Sequence, residues 1–365
     1  MSQRKRILSV VGTRPEAIKM APVVRALRAA PWADARLLTT GQHQELLDAQ
    51  LAFFDVAPDR ALDVMRPGQA LAALTAALLE ALDDALTAER PDLVLAQGDT
   101  TTVLATALAC CYRRVPFGHV EAGLRTGDLN APFPEEANRV VADQLAALFF
   151  APTQQAAERL RREGRTDGVF VTGNPVVDAL LWARARLRPA AAAGDRRLVL
   201  VTTHRRENIG AGLAGILEGI RRVAARGDVE LLLPVHPNPE VHAAVHRELS
   251  AVDRVTLAAP LDYADMVRAL DRCHLVLTDS GGLQEEAPAL DKPVLVLRDV
   301  TERPEGVAAG AARLVGTDPA TIAAATAELL DDPAAYRAMS SSRSPYGDGH
   351  AAERIVACCR DFLEA

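Results

Sequence analysis

Short, predominantly apolar runs alternate along this chain with longer stretches in which apolar residues recur at helical spacing. RILSVVG, ARLLTTG, DLVLAQG, VPFGHVEA, ALFFAPT and GVFVTGN mark the first half, and RLVLVTT, VELLLPVH, RVTLAAP, HLVLTD, PVLVLRD and ARLVGTD the second. A strand without a polar face is covered on both sides, and such strands separated by helices run parallel. Two series of six predict an α/β protein of two doubly wound, Rossmann-like parallel-sheet domains. The Pro-, Gly- and Ala-rich segment ARLRPAAAAGDRR, 185–197, reads as the connection between them. KRILSVVGTRPE (5–16) and RRLVLVTTHRRE (196–207) share a layout of basic flank, strand and polar loop ending in glutamate, which fits two domains of similar plan. The closing amphipathic stretch GHAAERIVACCRDFL could cross back to the first domain. The expected division is 1–171 together with 350–365, and 172–349.

Ligands of open parallel sheets bind beyond the C-terminal ends of the strands. Those ends carry Gly12-Thr13-Arg14-Pro15-Glu16, Gly41-Gln42-His43, Gln97-Gly98-Asp99-Thr100, His119-Val120-Glu121, His204-Arg205-Arg206-Glu207, His236-Pro237 and Asp279-Ser280-Gly281-Gly282. Turns and helix caps need Gly, Asn, Asp and Ser; histidines, arginines and surplus acids point instead to a ligand cleft between the domains. In LVLTDSGGLQEEAPAL, 275–290, a strand leads into Ser280-Gly281-Gly282 and a helix start, whose unpaired N–H groups suit a phosphate. Glu286, about one turn on, is placed to accept both hydroxyls of a ribose. The same residues also make an ordinary Ser-capped, acidic helix start. No GxxxxGKS pattern occurs and no GxGxxG follows the first-half strands, so neither a P-loop nor nicotinamide binding is expected.

At 365 residues, with 49% apolar and 24% charged residues, the chain has the balance of a soluble globular protein long enough for two domains. A net charge of −7 gives no footprint for nucleic acid. The start MSQRKRILSVVG is too short in apolar residues for a signal segment, and no run approaches a membrane span, so a cytoplasmic location is expected. The five cysteines, Cys110-Cys111, Cys273 and Cys358-Cys359, have no metal-ligand spacing and read as reduced thiols. His242 and His246 stand i,i+4 without an acidic partner, and no metal site is expected. Only Lys5, Lys19 and Lys292 are lysines, leaving 41 − 3 = 38 arginines, which draws attention to Lys19 in GTRPEAIKM.

GTRPEAIKMAPV, QGDTTTVLATALA, HVEAGLRTGD, PFPEEANR, VTGNPVVDAL, THRREN, PLDYADM, LTDSGGLQEEAP and TERPEGV, in this order, resemble the non-hydrolysing UDP-N-acetylglucosamine 2-epimerases over nearly the whole chain. The resemblance implies a GT-B arrangement of the two domains, interconversion of UDP-GlcNAc and UDP-ManNAc for bacterial surface polysaccharides, a homodimer and no cofactor. It implies catalytic roles for Asp99, Glu121, Glu135 and His204. Arg14, Lys19, Met266, Ser280, Gly281, Gly282, Glu286 and Arg303 would bind substrate, with Met266 on uracil and Arg303 on phosphate.

The chemistry asks for such a set. The C2 proton of the sugar becomes removable as the C1–O bond to UDP breaks. Epimerisation then needs an acid and a base on opposite faces of one carbon, cations for the departing diphosphate, and exclusion of water. Some relatives bind a second UDP-GlcNAc as activator, for which the corresponding positions are Gln42, His43, Glu136, Arg206 and His236. Glu45 and Gly68 stand where regulated relatives carry glutamine and arginine, so weaker activation is expected. A hydrolysing 2-epimerase, a GT-B glycosyltransferase and a non-catalytic sugar-nucleotide binder remain alternatives. Asp128, in TGDLN, reads as a turn residue.

Overall fold

A computed structural model describes residues 4–41, 44–66, 68–188, 196–205, 208, 210–342 and 344–365. Gln42, His43 and Arg206, and most of the expected connection 185–197, lie outside the described residues. The chain forms two compact units, residues 1–179 with 347–365, and residues 180–346.

The first unit runs β1 (Lys5–Val11), α1 (Arg14–Ala29), β2 (Ala33–Thr39), α2 (Gln44–Phe53), β3 (Arg60–Ala61), α3 (Leu71–Glu89) and β4 (Leu93–Gln97). It continues with α4 (Thr101–Arg113), β5 (Phe117–Val120), α5 (Glu135–Leu145), β6 (Leu148–Ala151), α6 (Gln154–Arg162), β7 (Val169–Val171) and the start of α7 (Pro175–Arg186). Its seven strands lie in the order β3-β2-β1-β4-β5-β6-β7, and every pairing is parallel. Six of them are the expected apolar runs. The seventh, β3, went unforeseen because it is a two-residue edge strand, pairing Arg60 and Ala61 with Leu38 and Thr39, and carries no apolar run.

The second unit runs β8 (Arg197–Thr202), α8 (Ala211–Ala224), β9 (Val229–Pro234), α9 (Pro239–Leu249), β10 (Val255–Ala258), α10 (Tyr263–Arg272) and β11 (Leu275–Thr278). There follow α11 (Gly281–Glu286), β12 (Val294–Val296), α12 (Pro304–Ala308), β13 (Ala312–Leu314), α13 (Pro319–Asp331) and α14 (Pro333–Ser340). The six strands take the order β10-β9-β8-β11-β12-β13, again all parallel. The last helix, α15 (Ala351–Glu364), belongs to the first unit and packs on α1. Its first N–H groups, on Ala351 and Ala352, donate to the carboxylate of Asp178 in α7, which caps them.

The central strands are apolar because both faces of each sheet are covered there. Ile7, Leu8, Val10 and Val11 of β1 and Val199, Leu200 and Val201 of β8 are all at most 1% exposed, each contributing ~1.5–3 kcal/mol by burial. Both sheets reverse strand order beside their first strand, between β1 and β4 and between β8 and β11. The loops following those strands flank the crevice where such sheets bind ligands. No helix among the described residues is long and apolar enough to cross a membrane.

Candidate active site

In each unit a buried carboxylate fastens the two loops at the reversal point. Glu16, in the first turn of α1, accepts from the backbone N–H groups of Gly12 (2.9 Å) and Thr13 (2.6 Å) and from the Thr100 hydroxyl (2.6 Å). It thereby joins the loop after β1 to the loop after β4, and burial raises its carboxyl above the usual range. Thr13 caps α1, Arg14 is its first residue and Pro15 its second. Arg14 is exposed at this helix start, and Lys19 sits one turn further on.

The Lys19 ammonium donates to Glu121 Oε2 at 2.5 Å, and the Gln97 amide donates to the same oxygen at 2.6 Å. Glu121 is 6% exposed and lies just past β5, where a positive φ of 67° turns the chain out of the sheet. Its own N–H and that of Ala122 both donate to Phe150 O in β6.

Helix α5 gathers the rest of the acidic set. Glu135 is its first residue, half-buried, and has no hydrogen-bond or ion-pair partner among the described residues. One turn later Asn138 donates to the Asp99 backbone carbonyl at 2.8 Å, and Arg139 pairs with Asp99 Oδ2 at 2.5 Å. One turn further, Asp143 meets His119 Nδ1 at 2.6 Å, Arg125 at 2.8 Å and the Gly123 N–H at 3.2 Å. Residues three and four apart share a helix face, so Glu135, Asn138, Arg139 and Asp143 line one side of a single helix. Neither Asn138, Arg139 nor Asp143 was singled out from sequence as a site residue, although polar side chains at this spacing inside EEANRVVADQ are a legible signal.

Glu136 turns the other way. Its carboxylate, 1% exposed, accepts from the N–H groups of Thr126 (2.9 Å) and Gly127 (3.0 Å) and lies 3.2 Å from Arg139. It therefore ties down the loop that opens TGDLN. Asp128 forms the turn there, accepting from Asn130 N–H at 2.9 Å.

Gly123 is the hinge of this region. Its φ is +84°, and a Cβ on it would stand 2.4 Å from the backbone oxygen of Ala156. Gly123→Ala is expected to destabilise the first unit by ~2–4 kcal/mol, from left-handed strain and overlap with immovable backbone. Denaturant unfolding would show this as a lower midpoint; a change under ~0.5 kcal/mol would contradict it.

In the second unit the fastening carboxylate is Asp279, fully buried. It accepts from the N–H groups of His204 (3.0 Å) and Arg205 (2.9 Å), the Thr203 hydroxyl (3.1 Å) and the Asn208 amide (3.0 Å). His204 Nδ1 lies 3.2 Å from its other oxygen. Burial opposes the charge of Asp279, but the His204 contact and these N–H donors outweigh it and hold its carboxyl below the usual range. The His204 ring stacks on His236, from the loop after β9, with centroids 5.5 Å apart. Burial and the His204 charge together lower the pKa of His236.

Ser280 caps α11, with Gly281 and Gly282 as its first residues. Gly281 is also tightly bounded by protein: a Cβ there would lie 3.0 Å from the Arg303 guanidinium and from Glu302. Gly282 has open space beside it, with nothing nearer than Glu286 at 3.8 Å. Arg303 bonds Glu285 (2.7 Å) and Glu302 (2.9 Å), and Glu302 also receives Arg205 (2.9 Å) and Arg298 (2.6 Å). Burial works against the Glu302 charge, yet Arg303, Arg205 and Arg298 hold its carboxyl well below the usual range. Three guanidiniums thus face two carboxylates, so Arg303 stands in a cluster whose positive charge is largely offset.

Glu286 ends α11 and lies against the hydroxyl of Tyr263, the first residue of α10, which burial and the Glu286 charge keep protonated. Met266 follows Tyr263 by one helical turn and is half-buried. The predicted residues therefore fall into two groups. Arg14, Lys19, Asp99, Glu121, Glu135 and Glu136 gather in the first unit, and His204, His236, Met266, Ser280, Gly281, Gly282, Glu286 and Arg303 in the second. No cluster of metal-ligating side chains occurs among the described residues.

The sequence profile described as UDP-N-acetylglucosamine 2-epimerase matches residues 25–360. The chain belongs to the UDP-N-acetylglucosamine 2-epimerase family. A probable UDP-N-acetylglucosamine 2-epimerase of Ralstonia nicotianae is 51% identical, covering 98% of this chain and 100% of the relative. The UDP-N-acetylglucosamine 2-epimerase of Escherichia coli K12 is 48% identical over 96% of this chain and 97% of its own. The crystal structure of the Neisseria meningitidis UDP-GlcNAc 2-epimerase bound to UDP-GlcNAc superposes with a TM-score of 0.92 at 41% identity, covering 98% of this chain and 100% of that one. This epimerase-family enzyme thus shares its two-domain parallel α/β fold with a solved relative.

Proposed function

We propose that this chain interconverts UDP-GlcNAc and UDP-ManNAc without hydrolysis, through elimination and re-addition of UDP. A carboxylate of the first unit takes the proton from C2. The C2–H electrons form the C1=C2 bond of a 2-acetamidoglucal, and the C1–O electrons leave with UDP. In the return step a β-phosphate oxygen of UDP attacks C1 while an acid on the opposite face gives a proton to C2. Asp99, Glu121 and Glu135 are the acids of this reading, and Arg14 and Lys19 stabilise the diphosphate charge. His204, Ser280, Gly281, Gly282 and Arg303 hold phosphate, Glu286 the ribose and Met266 the uracil. The product would enter surface polysaccharide synthesis in the cytoplasm, from a homodimer.

The observation that carries this reading is that Asp99, Glu121 and Glu135 are each differently set around the end of one sheet. Glu121 is paired with a lysine and a glutamine amide, Asp99 with an arginine, and Glu135 with neither. Two-face chemistry at one carbon needs acids whose protons are held differently. Incubation with UDP-GlcNAc in deuterated water tests it. Deuterium at C2 of intact UDP-GlcNAc and UDP-ManNAc is expected; free ManNAc, or unchanged UDP-GlcNAc, would overturn the assignment.

A second UDP-GlcNAc bound as activator is part of the same reading, and weak activation is expected. Gln42, His43 and Arg206 lie outside the described residues, whereas Glu45 and Gly68 are exposed at the positions where an acid and a missing cation disfavour a second diphosphate. Turnover of UDP-ManNAc alone should start with little lag, and trace UDP-GlcNAc should raise its rate only modestly. A long lag abolished by that trace would contradict this.

A further inference from the structure

Gly98 and Asp99 are held from β5 and α5. Gly98 N–H donates to Val120 O (3.0 Å), Gly98 O faces His119 Nε2 (2.7 Å), and Asn138 and Arg139 take the Asp99 carbonyl and carboxylate. His119 is 1% exposed and both its ring nitrogens face oxygens: the Gly98 carbonyl, which only accepts, and Asp143 Oδ1 at 2.6 Å. Asp143 in turn receives the Arg125 guanidinium and the Gly123 N–H on its other oxygen, the environment of an ionised carboxylate rather than of an acid donating a proton. With acceptors at both ends, the ring satisfies both contacts only by carrying a proton on each nitrogen.

We propose that His119 is a protonated positioning residue, whose imidazolium, anchored by Asp143, fixes the Gly98 carbonyl and thereby the Asp99 loop relative to the strand that delivers Glu121. The charges balance. Arg125 is shared with Glu163 (2.9 and 2.7 Å), so two cations meet two carboxylates around the ring, and Phe117 stacks beside it at 5.9 Å. Burial opposes the charged ring, but the charge and hydrogen bond of Asp143 outweigh it and raise the pKa of His119. A neutral ring would leave one nitrogen bare, against the Gly98 carbonyl in one tautomer or against Asp143 in the other, and either way loses one of the two contacts that tie the loop to its anchor. This role rests on the epimerase reading for the task of Asp99, but its first test does not.

Nitrogen-15 spectra of histidine-labelled wild-type protein at about pH 7.5, where an ordinary histidine is neutral, should show both His119 nitrogens protonated. One unprotonated nitrogen overturns the proposal, whatever the enzyme does with sugar nucleotides. Asp143→Asn keeps the shape of the anchor but removes its charge, leaving a neutral ring that an amide, which can donate as well as accept, no longer holds in the doubly protonated form. Its kcat per folded enzyme is expected to fall by ~10²-fold through misplacement of the acid, with KM and UDP affinity within about twofold. The deficit should shrink as the pH falls below about 6.5 and the ring is protonated again. An unchanged kcat, or a loss independent of pH that follows the folded fraction alone, would reduce the pair to a structural ion pair and overturn the proposal. Should Asp143→Asn not fold, the wild-type spectrum decides.

Discussion

Glu121→Gln is expected to lower kcat by ~10²–10⁴-fold, the range of a lost general acid or base, with UDP affinity within about twofold of wild type. The substitution keeps the length of the side chain and the Cβ already tolerated at φ 67°, so backbone strain at this position is unaltered. What changes is charge and proton. The oxygen that now receives both Lys19 (2.5 Å) and Gln97 (2.6 Å) belongs to a carboxylate able to take a proton from carbon; an amide cannot. Lys19, assigned to the diphosphate, also loses its counter-charge, while the second-unit groups assigned to the nucleotide are untouched. Steady-state rates alongside deuterium incorporation at C2 would check this. If exchange persists within about threefold of wild type, Glu121 is not one of the two proton-handling groups, and Asp99 and Glu135 must supply both faces.

What could be seen in the sequence, and what could not, divides along physical lines. Parallel strands announce themselves because a strand covered on both faces is largely apolar, and twelve of the thirteen lie in such runs, the partly exposed edge strands β7 and β10 included. β3 did not, since two residues at a sheet edge need neither burial nor pattern. Residues that follow strands were equally legible, because the end of an apolar run marks where the sheet gives way to its loops.

The fastening acids were harder to see. Glu16 and Asp279 stand inside recognisable motifs, yet nothing in GTRPE or TDSGG says that the carboxylate is spent on loop N–H groups rather than on a ligand. That requires knowing which loops meet across the reversal of strand order, a fact of topology. The same holds for Arg303, whose positive charge reads as available until Glu285 and Glu302 are seen against it. In α5, by contrast, helical spacing alone places Glu135, Asn138, Arg139 and Asp143 on one face, and only their targets needed the fold.

Asp279→Asn should be the most damaging single change in the second unit. The carboxylate is used on both oxygens: Thr203, Arg205, Asn208 and the His204 N–H donate to Oδ2, and His204 Nδ1 faces Oδ1, so an amide keeps its oxygen on the crowded side and turns its NH₂ toward the His204 ring. Four donors then meet a neutral acceptor in place of a charged one, at up to ~1 kcal/mol each, and the expected loss is roughly 3 kcal/mol. For a unit of this size that lowers Tm by ~6–12 °C.

The loss should also depend on pH in a defined direction. Asp279 has a folded pKa depressed below its unfolded value, so its contribution is complete above the unfolded value of about 3.9 and disappears as the pH falls through the folded one. Wild type and variant should therefore differ fully at neutral pH and converge below about pH 4. Glu302 titrates in the same sense but is present in both proteins, so it cancels from the difference. Calorimetry of the two proteins across that range distinguishes the causes. A gap that stays constant into acid would mean that the asparagine disturbs packing rather than charge, and Asp279 would then not be the ionised clasp that holds His204 and Arg205 in place.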